Sequence, residues 1–171
     1  MLMKIIPMIS FVKRSRKIYW IFSLHFLICW VVVSQTRLME CLSDSLNNVH
    51  YVLFLKSNAI KRGDIVAIQD HREDHVGDLK KWPYSKRVLG IPGDYIVHNK
   101  NGITVIPQES YFLSLLSKTS KGKPLTPMTS GIIPEGYLFV AGDNPHSFDS
   151  RYAEFGLVPK EKIWGKGIFA W

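Results

Sequence analysis

The sequence predicts a mainly β, antiparallel domain, a sandwich or barrel, preceded by one N-terminal transmembrane helix. Residues 18–34 form an apolar run behind a basic flank. From residue 49 onward, short apolar stretches alternate with glycine turn signals, and no long run of 3.6-residue period follows residue 40.

The chain has 171 residues, 46% hydrophobic and 21% charged, enough for one domain with a core plus an appendage. The net charge of +8 sits mostly at one end. Lys4, Lys13, Arg14, Arg16 and Lys17 supply five of those charges with no acid among them, so the basicity is an N-terminal tag and not a nucleic-acid face. Cys29 falls in the apolar run and Cys41 beyond it, so the two do not make a disulfide framework.

In chain order, residues 1–17 are a basic leader and Ile18–Ser34 the span, at the short end of what crosses a bilayer. Tyr19 and Trp20 at one end and Trp30 near the other suit the two interfaces, and the positive flank is expected to stay in the cytoplasm. A cleaved signal peptide is the competing reading. The run is longer than a usual signal core and no small-x-small site follows it, which favours an uncleaved anchor. His25 reads as a tolerated polar residue, since no second ionisable group accompanies it.

Residues 35–171 then form the β-rich domain. Residues 35–50 read as a polar exit segment rich in Ser and Asn. Strands are expected at Val49–Lys56, Ile65–Gln69, around Lys86, at Tyr95–His98, Ile103–Ile106, Tyr137–Val140 and over 163–170. Lys61-Arg62-Gly63-Asp64, Pro92-Gly93-Asp94, Asn101-Gly102 and Gly142-Asp143-Asn144 are turns. Residues 70–82 are a charged excursion and 107–134 a longer polar connection. His71-x-x-x-His75, with Glu73 and Asp74, reads as a solvated loop; it lacks a third metal ligand at a familiar spacing, and no metal is expected.

Three separated features carry chemistry: Ser43-Asp44-Ser45-Leu46, Lys86, and the loop Gly142–Arg151. A lysine on an apolar strand is either an exposed edge residue, the ordinary case, or a buried amine. Burial disfavours its charged form and turns it into a possible general base. A serine is a weak nucleophile without such a base in reach, and serine–lysine pairs are a known solution. Taken singly, the serines read as linker residues, Asp149 and Arg151 as a surface ion pair, and Gly142-Asp143-Asn144 as a turn.

At these residues the chain resembles the bacterial type I signal peptidases. Lys86-Arg87-Val88-x-Gly-x-Pro-Gly-Asp94 and Gly142-Asp143-Asn144…Ser147-x-Asp149-Ser150-Arg151 are similar to two signature boxes of that family, and Gly63-Asp64-Ile65-Val66 to a third. The compact size also resembles the TraF-type peptidases of conjugation systems. The resemblance implies a signal-peptidase β-fold and a serine endopeptidase with Ser45 as nucleophile and Lys86 as base. It implies that Ser43 helps form the oxyanion hole, that Ser147 orients the lysine, and that Asp149 and Arg151 form an ion pair near Arg87. Asp149 ranks close behind the dyad as a catalytic member. The family pattern at the nucleophile is Ser-Met-x-Pro, whereas this chain reads Ser45-Leu46-Asn47-Asn48, with Ser43 as the fallback nucleophile.

The same resemblance implies a single-pass protein of the bacterial cytoplasmic membrane, its N-terminus cytoplasmic and its β-domain extracytoplasmic. It implies pre-protein or pro-pilin substrates cut after small residues, the bilayer and a conjugation or secretion apparatus as partners, and no cofactor. A catalytically inactive, membrane-tethered scaffold is the alternative. A LexA-like repressor peptidase would need a DNA-binding domain where this chain has its span.

Overall fold

The computed structural model describes residues 5–41, 45–69, 84–100 and 102–171. The chain divides into two units after Arg37.

The first unit is one helix, α1 (Ile5–Gln35), which runs through the basic leader as well as the apolar run. Pro7 stands in the first turn, where a missing N–H costs no helical bond. Ile18–Gln35 is long and apolar enough to cross a membrane, about 27 Å at 1.5 Å per residue. Its large side chains are exposed all round, from Tyr19 and Trp20 to Trp30 and Val33, so it has no single buried stripe. At its end the Ser34 and Thr36 hydroxyls donate to the carbonyls of Val31 and Val32 in the last turns of the helix.

The second unit is a β-domain of two antiparallel sheets. The strands are β1 (Thr36–Glu40), β2 (Tyr51–Leu55), β3 (Ile65–Ile68), β4 (Tyr84–Gly90), β5 (Tyr95–Asn99), β6 (Gly102–Ile106), β7 (Gln108–Ser114), β8 (Gly131–Ile132), β9 (Tyr137–Ala141), β10 (Val158–Pro159) and β11 (Ile163–Ala170). The larger sheet runs β1-β2-β11-β3-β4-β9-β10 and the smaller β7-β6-β5-β8. The last strand is thus inserted between β2 and β3, antiparallel to both.

Strands β4 and β9 are buried on both faces, and their near-continuous apolar runs follow from that. Val88, Leu138 and Val140 enter one core with Val66, Ile68, Phe155 and Val158. Leu89, Phe139 and Ala141 point the other way, against Ile96, Ile103, Val105, Leu113 and Ile133 around the smaller sheet. The β4–β9 register shifts between Val88 and Gly90. A side chain at Gly90 would run into Ile133, Phe139 and Val105, so this close approach of the sheets requires glycine.

Two expectations are corrected. The 35–50 segment is not only polar exit: it contains β1 and a turn at Ser45–Asn48. The 107–134 connection contains β7 and β8, which complete the smaller sheet. Both carry exposed residues such as Leu38, Phe112 and Ile132, as sheet-edge strands do, and this dilutes the apolar signal used to find them. The 70–82 excursion, with His71, Glu73, Asp74 and His75, lies outside the described residues, as does Ser43.

Candidate active site

Lys86 sits in the middle of β4, directly opposite Val66 of β3. Strand alternation puts it on the same face as Val88, which is fully buried, and the lysine itself is only 5% exposed. Its Nζ donates to Ser45 Oγ at 2.8 Å and to Ser147 Oγ at 2.6 Å. The pKa of Lys86 is lowered from 10.5 to about 8, chiefly because burial disfavours the ammonium. The negative charge of Asp149 opposes that shift and the positive charge of Arg151 adds to it. Of the two sequence readings of Lys86, the buried amine is the one realised.

Ser45 lies in the turn Ser45–Asn48, beside the buried Leu46. Its carbonyl accepts a hydrogen bond from Asn144 N–H at 3.2 Å, which ties the turn to the Gly142–Arg151 loop. Ser147 is 6% exposed on that loop, where its N–H bonds Asn144 O at 3.0 Å. Gly142 makes the convergence possible: a Cβ there would meet the Ser147 side chain and the Ser45 carbonyl oxygen.

The loop is held from beneath by Asp149 and Arg151, both essentially without solvent contact. Asp149 accepts from Gly142 N–H at 2.9 Å, from Arg151 N–H at 3.2 Å and from Arg151 Nε and Nη2 at 2.8 and 2.9 Å. Arg151 also donates to the carbonyls of Ser114, Pro145, Gly142 and Asn144, so one guanidinium fastens the whole loop to the end of β7. Arg87 forks onto Asp143, with Nε to Oδ1 at 2.9 Å and Nη2 to Oδ2 at 3.0 Å. The Gly63-Asp64 box serves the base strand: Gly63 N–H bonds Val88 O, and Val88 N–H bonds Asp64 O. The turn after β4 is locked by Arg62, which bonds both oxygens of Asp94 at 2.7 Å.

The structure thus brings Ser45, Lys86 and Ser147 together, with Asp149 and Arg151 behind them. Sequence reasoning treated Asp143 only as a turn residue and assigned nothing to Asn144 or Asn48. Their positions in the Gly-Asp-Asn box and in the departure from the nucleophile pattern were visible signals, but the site partners of Asp143 and Asn144 (Arg87, Asn47 and Ser45) are 56 to 99 residues away in the chain. Among the described residues no cluster of His, Cys, Asp and Glu is arranged to hold a metal.

A β-domain with a desolvated amine at hydrogen-bond distance from a serine hydroxyl is an arrangement compatible with a serine–lysine dyad, the class of site used for acyl transfer. The family described as "Signal peptidase, peptidase S26" matches residues 11–171. A Signal peptidase I of Bacillus licheniformis is 37% identical over 116 residues, 64% of this chain and 58% of that protein. Signal peptidase IB of Staphylococcus aureus (strain N315) is 28% identical over 132 residues, 69% of this chain and 64% of that protein. The crystal structure of a signal peptidase I from Enterococcus faecalis V583 superposes with a TM-score of 0.40 at 26% identity, covering 63% of this chain and 95% of that chain. This chain belongs to the signal peptidase family, peptidase S26. It spans about three fifths of the length of the curated relatives it matches.

Proposed function

We propose that this chain is a membrane-anchored serine endopeptidase that removes leader peptides from translocated proteins with a Ser45–Lys86 dyad. What carries the reading is the 2.8 Å contact between Ser45 Oγ and an Nζ that is shielded from water. In the neutral state, Lys86 takes the Ser45 proton as Oγ attacks the scissile carbonyl. The resulting ammonium gives that proton to the leaving amine, and the acyl-enzyme remains on Ser45. A water then attacks the ester, Lys86 again serving as base. Ser147 accepts a hydrogen bond from Nζ and keeps it aimed at Ser45. Ser43 and the Ser45 backbone N–H are the proposed oxyanion donors. Asp149 and Arg151 position the loop, Asp149 acting on Lys86 through its charge. The helix holds the β-domain at an extracytoplasmic membrane surface, where a pre-protein's own apolar leader lies. A conjugative pilin is the narrower form of the substrate proposal, with the short 107–134 segment, two small strands and no larger insertion, in its favour.

The test uses the full chain in detergent with two substrates: a secretory pre-protein cut after small residues, and a pro-pilin. Cleavage of either at one bond, lost by about three orders of magnitude or more in Ser45→Ala with melting unchanged, is the expected result. Undiminished cleavage by Ser45→Ala would remove the proposed nucleophile. A folded parent that cuts neither substrate would favour the scaffold. Cleavage of the pro-pilin alone would establish the narrower role.

Gly142→Ala is expected to lower kcat by about 10- to 100-fold, because the added methyl displaces Ser147 and the Ser45 carbonyl by a sizeable fraction of an ångström. Steady-state kinetics beside thermal melting checks this. A parental kcat would mean that the loop gives way without disturbing the pair.

A further inference from the structure

Asn48 has φ 56°, the only non-glycine residue among the described residues in the left-handed region. A Cβ in that conformation crowds the following carbonyl oxygen; asparagine tolerates it better than most, and glycine is indifferent to it. Proline, the residue of the family pattern at this position, is locked near −65° and cannot adopt it. The chain has therefore not merely lost a proline. It has built the nucleophile turn with a different backbone.

That turn is fixed on both sides. Beyond it, the carbonyl of His50 accepts from Cys41 N–H, and His50 N–H bonds Trp171 O. β2 then pairs with β11 in a set register. Before it, Ser45 O accepts from Asn144 N–H, and Asn47 N–H points at Asp143 Oδ2 at 3.4 Å. Asp143 is gripped by Arg87, the neighbour of Lys86 on β4. Nucleophile turn and base strand thus meet on one carboxylate. With β2 paired to β11, a change of φ at Asn48 falls on residues 45–47, and Ser45 moves relative to Lys86.

We propose that Asn48 is a positioning residue: its left-handed backbone, with Asp143 held by Arg87, keeps Ser45 Oγ within hydrogen-bond reach of Lys86. This rests on the Ser45–Lys86 reading above and goes beyond it, since it assigns the geometry of the nucleophile to a residue outside the serine–lysine pair.

The experiment compares full-length parent, Asn48→Gly, Asn48→Val, Asn48→Pro and Ser45→Ala in detergent, on one pre-protein, by kcat, KM and melting temperature. Asn48→Val is expected to lower kcat about tenfold with KM within about twofold, because the β-branched side chain resists the left-handed region. Asn48→Pro is expected to fall by about 100-fold or more even though it restores the family residue. Asn48→Gly, free to take the same φ, recovers kcat to within about threefold of the parent. Should the proline variant fail to fold, the valine and glycine pair carries the comparison. Parental kcat in Asn48→Val, or a loss in Asn48→Gly as large as in Asn48→Val, would overturn the proposal; the latter would make the amide side chain the relevant group. Ser45→Ala separates the two levels. If it still cleaves, the dyad reading itself is wrong; if it is dead while Asn48→Pro cleaves at the parental rate, only the positioning role falls.

Discussion

A Lys86→Met variant is expected to lose leader cleavage by about 10³- to 10⁴-fold and yet to melt at a higher temperature than the parent at pH 6.5. The loss of activity follows from removing the proposed base. The gain in stability follows from its burial. In the folded chain the pKa of Lys86 is about 8, against 10.5 for the ordinary side chain. Below pH 8 both states are protonated, and the folded state carries a desolvated ammonium at a cost of about 3 kcal/mol, at ~1.4 kcal/mol per pH unit. Between pH 8 and 10.5 the unfolded chain holds more protons than the folded one, so stability rises with pH and the cost disappears. Methionine fills much of the same space without a charge. It leaves the hydroxyls of Ser45 and Ser147 without this donor, at about 1 kcal/mol each. The net gain at pH 6.5 is then about 1 kcal/mol, or roughly 2–5 °C in melting temperature. At pH 10.5 the order should reverse. Thermal melting at the two pH values, beside cleavage assays, checks the claim; a methionine variant that melts below the parent at both would mean that the ammonium is better solvated than its burial indicates. The same pKa sets the parent's acid limb. Cleavage should fall about tenfold per pH unit below pH 8, as neutral lysine becomes scarce.

Asp149→Asn is expected to move that acid limb to lower pH while destabilising the fold by about 3–5 kcal/mol. The first effect has a definite sign. Asp149 raises the Lys86 pKa and Arg151 lowers it, so removing the carboxylate leaves only the lowering charge. The second arises because Arg151, 1% exposed, loses its counter-charge, while Gly142 N–H loses a carboxylate acceptor. A pH–rate profile and a denaturation curve on the same preparation measure both. The paired replacement Asp149→Leu with Arg151→Met should recover part of the stability, since two apolar side chains leave no buried charge unpaired. If Asp149 instead handled a proton in the reaction, kcat would fall by about 100-fold or more with the limb unmoved. That outcome would make Asp149 the catalytic member that the family resemblance implies.

Much of the architecture was legible because its determinants are local. The apolar helix is a count of apolar residues with aromatic ends. The hairpin of β5 and β6, the turn at Pro92-Gly93-Asp94 and the two-sided strand ending at Ala141 are each set by a few neighbouring residues. Strands β1, β7 and β8 were not legible: all three border a sheet, β1 and β7 mix polar and apolar residues, β8 is only two residues long, and it is the partner strand that makes each of them a strand. Among the site residues, the types at 45, 86, 147, 149 and 151 could be singled out by the chemistry they are capable of. Their partners could not.

The sequence by itself determined which residue types are present to form a serine–lysine site and where the chain can turn. Whether Lys86 is a solvated cation or a shielded amine was decided only when β3, β9 and the Gly142–Arg151 loop closed over it. Which carboxylate Arg87 takes, and the left-handed backbone at Asn48, were decided in the same step. The physical reason is that desolvation and close polar contact depend on what surrounds a group in space, and a sequence lists only what adjoins it along the chain.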